Sequence, residues 1–126
     1  MVFVGLDYGR KKTGVAIFRE GVVLPGDTVF GSWSKIQGKL EELALRYEDI
    51  EIVLGLPLSA SGKPTELSQE VEQFAEWLMK LGYKVELVNE VGSSAVAVQL
   101  LGRKGRKSYV DSLAACEILK RYLKII

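Results

Sequence analysis

Residues 2–18 have the sequence VFVGLDYGRKKTGVAIF, in which two short apolar runs flank a basic link. The link, residues 8–12, is short and rich in turn-forming and charged residues, so the two runs are predicted to form a β-hairpin. The first run ends in an acid, Asp7. An acidic side chain that closes an otherwise apolar strand is costly to bury without a partner. Asp7 is therefore a candidate functional residue.

The rest of the chain is predicted to add one antiparallel strand and then strands that alternate with helices. Residues 22–24 and 28–30 together give the third strand. Helical or continuous apolar patterns predict helices over 34–48, 65–81, 93–101 and from 108 onward, with buried strands over 50–56 and 84–89. Thr65 and Ser108 are the predicted N-caps, and Gly82 the predicted end of the second helix.

These elements predict one α/β domain over residues 1–126. Short links make the three opening strands antiparallel, whereas helical crossovers make the later strands parallel. The expected architecture is a mixed sheet with helices on both faces.

Composition excludes several classes of function. The chain has 126 residues, a net charge of +1, no histidine and one cysteine, Cys116. Without histidine, Ser-His-Asp or Cys-His catalysis and imidazole zinc sites are excluded. A single cysteine excludes an internal disulfide and fits a reducing compartment, and Cys116 is predicted to be buried and inert. No apolar run suits a membrane span or a signal peptide, so we expect a cytoplasmic protein without a membrane partner.

Three acids are candidate catalytic and metal-binding residues. Asp7 closes the first strand, Glu90 follows the last, and Asp111 is expected in the first turn of the final helix. Asp7 and Glu90 come from strands that could be neighbours, and ligands of α/β sheets bind at strand ends. Together the acids would hold Mg²⁺ or Mn²⁺, and two such ions about 4 Å apart would orient a water and stabilise the leaving oxygen of a phosphodiester. Two structural alternatives remain open: a capping box between Ser108 and Asp111, and a solvated loop position for Glu90.

Two basic segments are candidate substrate-binding sites. The first is the hairpin turn, with Arg10, Lys11 and Lys12, and the second precedes the final helix, with Arg103, Lys104, Arg106 and Lys107. Either could grip the phosphates of a nucleic-acid backbone, which would make binding salt-sensitive. A solvated turn and a solubilising linker are the alternatives. Trp33 and Trp77 could stack on bases, although core packing is the better interpretation for Trp77.

Three motifs resemble the signatures of the YqgF family, bacterial relatives of RuvC-type Holliday-junction resolvases. They are GLDYGRKKTGVA at residues 5–16, GLPL at 55–58 and VDSLAA at 110–115, the last continued by similar residues up to 123. The resemblance implies an RNase H-like fold, acids at Asp7, Glu90 and Asp111, and a divalent metal. It also implies a role in maturing the 5′ end of precursor 16S rRNA, with RNA as the favoured substrate and ribosomal precursor particles as candidate partners.

Departures from the family pattern leave other functions open. Asn89 and Val91 stand where the family has Asp and Arg, which favours a nucleic-acid or ribosome-binding module without chemistry. Retention of all three acids opposes that interpretation. A resolvase acting on branched DNA is another alternative. An actin-like ATPase or sugar kinase ranks last, because such proteins normally need two domains of this size.

Overall fold

The computed structural model describes residues 2–90 and 107–124, and for residues 107–111 it describes the backbone alone. The elements are β1 (Val2–Asp7), β2 (Lys12–Arg19), β3 (Val22–Phe30), α1 (Trp33–Tyr47), β4 (Ile50–Pro57), α2 (Glu66–Lys80), β5 (Lys84–Glu90) and α3 (Lys107–Leu123). The helix predicted over 93–101 lies outside the described residues. In the described part of the chain, no helix has the length and apolarity needed to cross a membrane.

The five strands form one mixed sheet in the order β3-β2-β1-β4-β5. The pairs β1–β2 and β2–β3 are antiparallel, and the pairs β1–β4 and β4–β5 are parallel, as predicted. The expectation that Asp7 and Glu90 come from neighbouring strands is wrong, because β4 lies between β1 and β5. The hairpin partner β2 occupies one side of β1, so the crossover through α1 places β4 on the other side.

One face of the sheet packs against α1 and α2. Alternate residues of the central strands point to this face and are fully buried, among them Val4, Leu6, Ile52 and Leu54. Burying a side chain of this size contributes roughly 1.5–3 kcal/mol relative to leaving it exposed. Because strand side chains alternate, the residues between these four point to the opposite face.

Helix α2 has a defined start and end. The Thr65 hydroxyl accepts from the Ser68 amide at 3.1 Å, and the Ser68 hydroxyl accepts from the Thr65 amide at 2.7 Å. Gly82, beyond the last turn, has φ of +101°, a conformation that glycine adopts without a Cβ penalty. The predictions for Thr65 and Gly82 are confirmed, and the cap sets the position of the side chains in the first turns of α2.

The opposite face of the sheet packs against α3. Buried α3 residues meet Ala16 and Val53 there, namely Ala115, Cys116, Ile118 and Leu119. A Cβ at residue 5 would lie 2.8 Å from the carbonyl oxygen of Ala115, so Gly5 permits the close approach of the helix. Cys116 is buried, as predicted, and this burial raises the pKa of its thiol to about 11.

The start of α3 differs from the prediction. The helix begins at Lys107, so Lys107 belongs to the helix rather than to a basic loop. Ser108 then lies inside the first turn and is not the N-cap, and Asp111 is the fifth helical residue rather than part of the first turn. The capping box between Ser108 and Asp111 is therefore wrong, because it requires the helix to start after Ser108.

Candidate active site

Asp7 and Glu90 lie on the same face of the sheet, the face covered by α3. On β1, the ring of Phe3 packs 5.8 Å from that of Tyr122, and Gly5 contacts Leu119, both on α3. Because strand side chains alternate, Asp7 faces the same side, where it is half-buried. The two acids therefore share a face although their strands are not adjacent.

The Glu90 carboxylate reaches back across β4. Glu90 pairs with Pro57, two residues beyond Gly55 on that strand. Its Oε2 nevertheless lies 2.5 Å from the position that a Cβ at residue 55 would take, and its side chain is buried. The register Leu6–Leu54 places Asp7 at the level of Gly55. The Glu90 carboxylate thus lies over β4, the strand next to β1. Adjacent strands are about 4.8 Å apart.

Asp111 lies in α3, one helical turn before Ala115. The Ala115 carbonyl adjoins Gly5, which precedes Asp7 by two residues on β1. The side chain of Asp111 lies outside the described part of the structure. Asp7 and Glu90 are thus the candidate acids whose side chains the structure describes.

A pocket of about 340 Å³ opens beside Asp7. It is lined by residues of the turn between β1 and β2 and by one α2 residue: Asp7, Tyr8, Gly9, Arg10, Lys11, Lys12 and Leu67. An acid at a strand end and three cations thus border the same cavity. Arg103, Lys104 and Arg106 lie outside the described residues, as does the side chain of Lys107.

Glu70 of α2 holds the turn at two points. The Tyr8 hydroxyl donates to Oε2 of Glu70 at 2.5 Å, and Nε of Arg10 donates to Oε1 at 2.8 Å. The Trp33 indole donates in turn to the Tyr8 hydroxyl at 2.9 Å. Arg10 is therefore already ion-paired with a carboxylate, although its side chain remains 58% exposed.

These contacts shift the pKa values of the groups involved. Hydrogen bonds from Tyr8 and then Arg10 lower the pKa of Glu70, so this carboxylate is ionised at neutral pH. Burial, followed by the hydrogen bond to Glu70, raises the pKa of Tyr8, so the phenol stays protonated and acts as a donor. Glu70 therefore stays ionised and Tyr8 stays protonated throughout the neutral pH range.

The two tryptophans pack in an aromatic cluster. The Trp77 ring lies 6.0 Å from that of Phe74 and 5.4 Å from that of Trp33. The core-packing interpretation of Trp77 is confirmed. Trp33 is half-buried in the same cluster, so its ring supports the turn through Tyr8.

Two residues of this site, Gly55 and Glu70, were not predicted to belong to it. Gly55 had a local signal, because a glycine inside an apolar strand marks a close approach of other atoms. Glu70 had none, since it is one acid among several on α2 and its partners Tyr8 and Arg10 lie about sixty residues earlier in the chain.

Comparison with known proteins agrees with this architecture. A curated protein of Orientia tsutsugamushi (strain Ikeda), named "Putative pre-16S rRNA nuclease", is 36% identical over 129 residues, covering 96% of this chain and 82% of that protein. One of the same name from Syntrophus aciditrophicus (strain SB) is 35% identical over 135 residues, covering 100% of this chain and 90% of that protein.

Solved structures show the same fold. Thermus thermophilus RuvC in complex with a Holliday junction substrate matches with a TM-score of 0.59 at 15% identity, covering 99% of this chain and 96% of that one. The likeness establishes an RNase H-like fold, as predicted. The family model described as RuvX, Holliday junction resolvase, matches residues 1–125. The resemblance to YqgF proteins is thereby confirmed, and the chain belongs to the RuvX family of Holliday junction resolvases.

Proposed function

We propose that this chain is a divalent-metal-dependent nuclease that cleaves phosphodiester bonds in the maturation of the 5′ end of precursor 16S rRNA. The observation that carries the proposal is the relation between Asp7 and Glu90, which share one face of the sheet on either side of Gly55. The names of the curated relatives support the substrate class.

We assign Asp7, Glu90 and Asp111 to the metal, Mg²⁺ or Mn²⁺. Carboxylate oxygens are the ligands that such hard cations prefer, and the space left by Gly55 admits the Glu90 carboxylate beside β1. Among the side chains that the structure describes, no group of three acids or cysteines is placed to hold an ion. The side chain of Asp111 is not one of those described. A divalent cation held there would supply the activation of a water and the stabilisation of the leaving oxygen.

The basic residues hold the substrate backbone in this proposal. Arg10, Lys11 and Lys12 border the same pocket as Asp7, so they would bind phosphates next to the scissile bond. We propose the same role for the segment before α3, with Arg103, Lys104, Arg106 and Lys107.

The test combines cleavage with metal binding. An RNA that spans the 5′ end of precursor 16S rRNA is incubated with the wild-type chain and Mg²⁺ or Mn²⁺. Asp7→Asn is expected to lower cleavage at least about a hundredfold and to weaken Mn²⁺ binding in calorimetry. The matched control is Asp49→Asn, an exposed position at the opposite end of the sheet that loses the same charge.

The outcomes separate the rival functions. RNA binding without metal-dependent cleavage by the wild-type chain would contradict the nuclease and indicate a binding module. Because the matching family model is described as a Holliday junction resolvase, a four-way DNA junction is tested in parallel. Cleavage of the junction in preference to RNA would make the chain a resolvase.

We further propose that the activity is cytoplasmic and that precursor ribosomal particles present the RNA. A single buried cysteine fits a reducing compartment. Co-sedimentation of the tagged chain with precursor particles in the native host tests this partner, and sedimentation at the top of the gradient alone would contradict it.

A further inference from the structure

We infer that Glu70 is a positioning residue for nucleic-acid binding: it holds Arg10 in the orientation that a substrate phosphate meets. The inference rests on the proposed function and assigns a role to a residue of α2 that does not itself contact the substrate. Three contacts carry it, from Arg10, Tyr8 and Trp33.

The contact between Arg10 and Glu70 uses only one edge of the guanidinium. Nε donates to Oε1 of Glu70 at 2.8 Å, which engages one of the five N–H donors of arginine. The two terminal nitrogens remain outside this hydrogen bond, on a side chain that is 58% exposed. A phosphate can therefore accept two parallel hydrogen bonds from the same guanidinium.

The carboxylate that holds Arg10 is itself held by the core. Tyr8 donates to the other oxygen of Glu70 while it accepts from Trp33, and the Tyr8 ring packs 5.0 Å from that of Phe74. Glu70 is thus bound through both oxygens, unlike one partner of an isolated surface ion pair. Ordering Arg10 before the substrate arrives reduces the side-chain entropy lost on binding.

Positioning and simple charge neutralisation predict opposite signs for Glu70→Gln. The substitution removes one negative charge beside the three cations of the turn. If Glu70 only offsets the charge of Arg10, its loss tightens RNA binding. If Glu70 positions Arg10, RNA binding weakens although the turn has become more positive.

The experiment measures the affinity for a labelled RNA from the 5′ end of precursor 16S rRNA by fluorescence anisotropy. Metal-free buffer keeps the RNA intact, and the measurement is repeated over a series of salt concentrations. Glu70→Gln is expected to weaken binding about fivefold and to reduce the slope of log affinity against log salt by about 0.7, the value for one phosphate contact with a single strand. The matched control Glu72→Gln loses the same charge at an exposed position of α2 and should bind at least as tightly as the wild type.

Further variants link the effect to Arg10. Arg10→Ala should weaken binding by a similar factor, and the double variant should lose no more than Arg10→Ala alone, because both act through one contact. Glu70→Asp keeps the charge but shortens the side chain, so weaker binding by this variant supports positioning even if Glu70→Gln folds poorly. Circular dichroism and urea denaturation report the fold independently of RNA.

Two failures are distinguishable. If the wild type binds RNA and Glu70→Gln binds it as tightly or more tightly, with an unchanged salt slope, the role of Glu70 is overturned. The proposed function then still stands. A wild-type chain that binds no RNA overturns the proposed function, and this inference with it.

Discussion

The carboxylate of Glu90 lies over Gly55, with Oε2 only 2.5 Å from the position that a Cβ at residue 55 would take. Ile118 of α3 is equally close to that position through its Cδ1 atom. Residue 55 is therefore enclosed by a candidate metal ligand on one side and by the helix that carries Asp111 on the other. Any side chain at residue 55 must displace both the Glu90 carboxylate and the Ile118 side chain.

Gly55→Ala is expected to lower both stability and cleavage. Inserting a methyl group into a packed site costs about 1–3 kcal/mol, and movement of Glu90 disturbs the proposed ligand set. Urea denaturation measures the first effect and RNA cleavage with Mg²⁺ the second. A variant with wild-type values in both assays would show that Glu90 and α3 adjust without cost.

Gly38→Ala is the matched control for this substitution. Gly38 lies in α1, and an added Cβ there has no atom within 4 Å. Alanine has the higher helix propensity, so this variant should gain about 0.5–1 kcal/mol in unfolding free energy. Its cleavage rate should equal that of the wild type, because α1 lies on the opposite face of the sheet from the acids.

Glu90→Gln is expected to abolish cleavage without a loss of stability. Glu90 is 6% exposed, and a neutral amide of the same shape is less costly to remove from water than a carboxylate. Thermal unfolding and the cleavage assay provide the two measurements, with the exposed Glu86→Gln on the same strand as control. A marked fall in melting temperature would show instead that Glu90 has a structural role.

Ser112→Ala is expected to destabilise the attachment of α3. The buried hydroxyl of Ser112 donates to the carbonyl oxygen of Gly26 on β3 at 2.7 Å. Leaving that carbonyl without its donor should cost about 1–2 kcal/mol, measured by urea denaturation. Ser34→Ala, at an exposed position of α1, should change stability by less than about 0.5 kcal/mol. Equal values for the two variants would contradict the role of the Ser112 contact.

The buried thiol of Cys116 is expected to make the free energy of unfolding depend on pH in the alkaline range. Burial raises the pKa of its thiol from 9.0 to about 11, so the unfolded chain loses this proton at a lower pH than the folded chain. The resulting contribution to stability is complete below pH 9.0 and is lost as the pH rises towards about 11. The unfolding free energy of the wild type should therefore fall more steeply over this range than that of Cys116→Ala. Parallel curves would indicate that the thiol does not titrate differently in the two states.

Much of the architecture could be predicted because its signals are local. Short apolar runs identified β1, β2 and β4, and the short link at residues 8–12 required an antiparallel hairpin. The capping box at Thr65 involves a residue only three positions away. The order of β4 and β5 had no such signal, since it depends on which side of β1 remains open after β2 has paired.

The sequence by itself determined the succession of the strands and helices that the structure describes, the antiparallel start of the sheet, and the acid at the end of β1. Only the tertiary structure decided that β4 separates Asp7 from Glu90, that the Glu90 side chain returns over Gly55, and that Glu70 holds Arg10 from sixty residues away. The physical reason is the distance along the chain between the residues that interact. Periodicity, capping and turns arise between residues a few positions apart, whereas strand order and these side-chain contacts arise only when distant segments pack together.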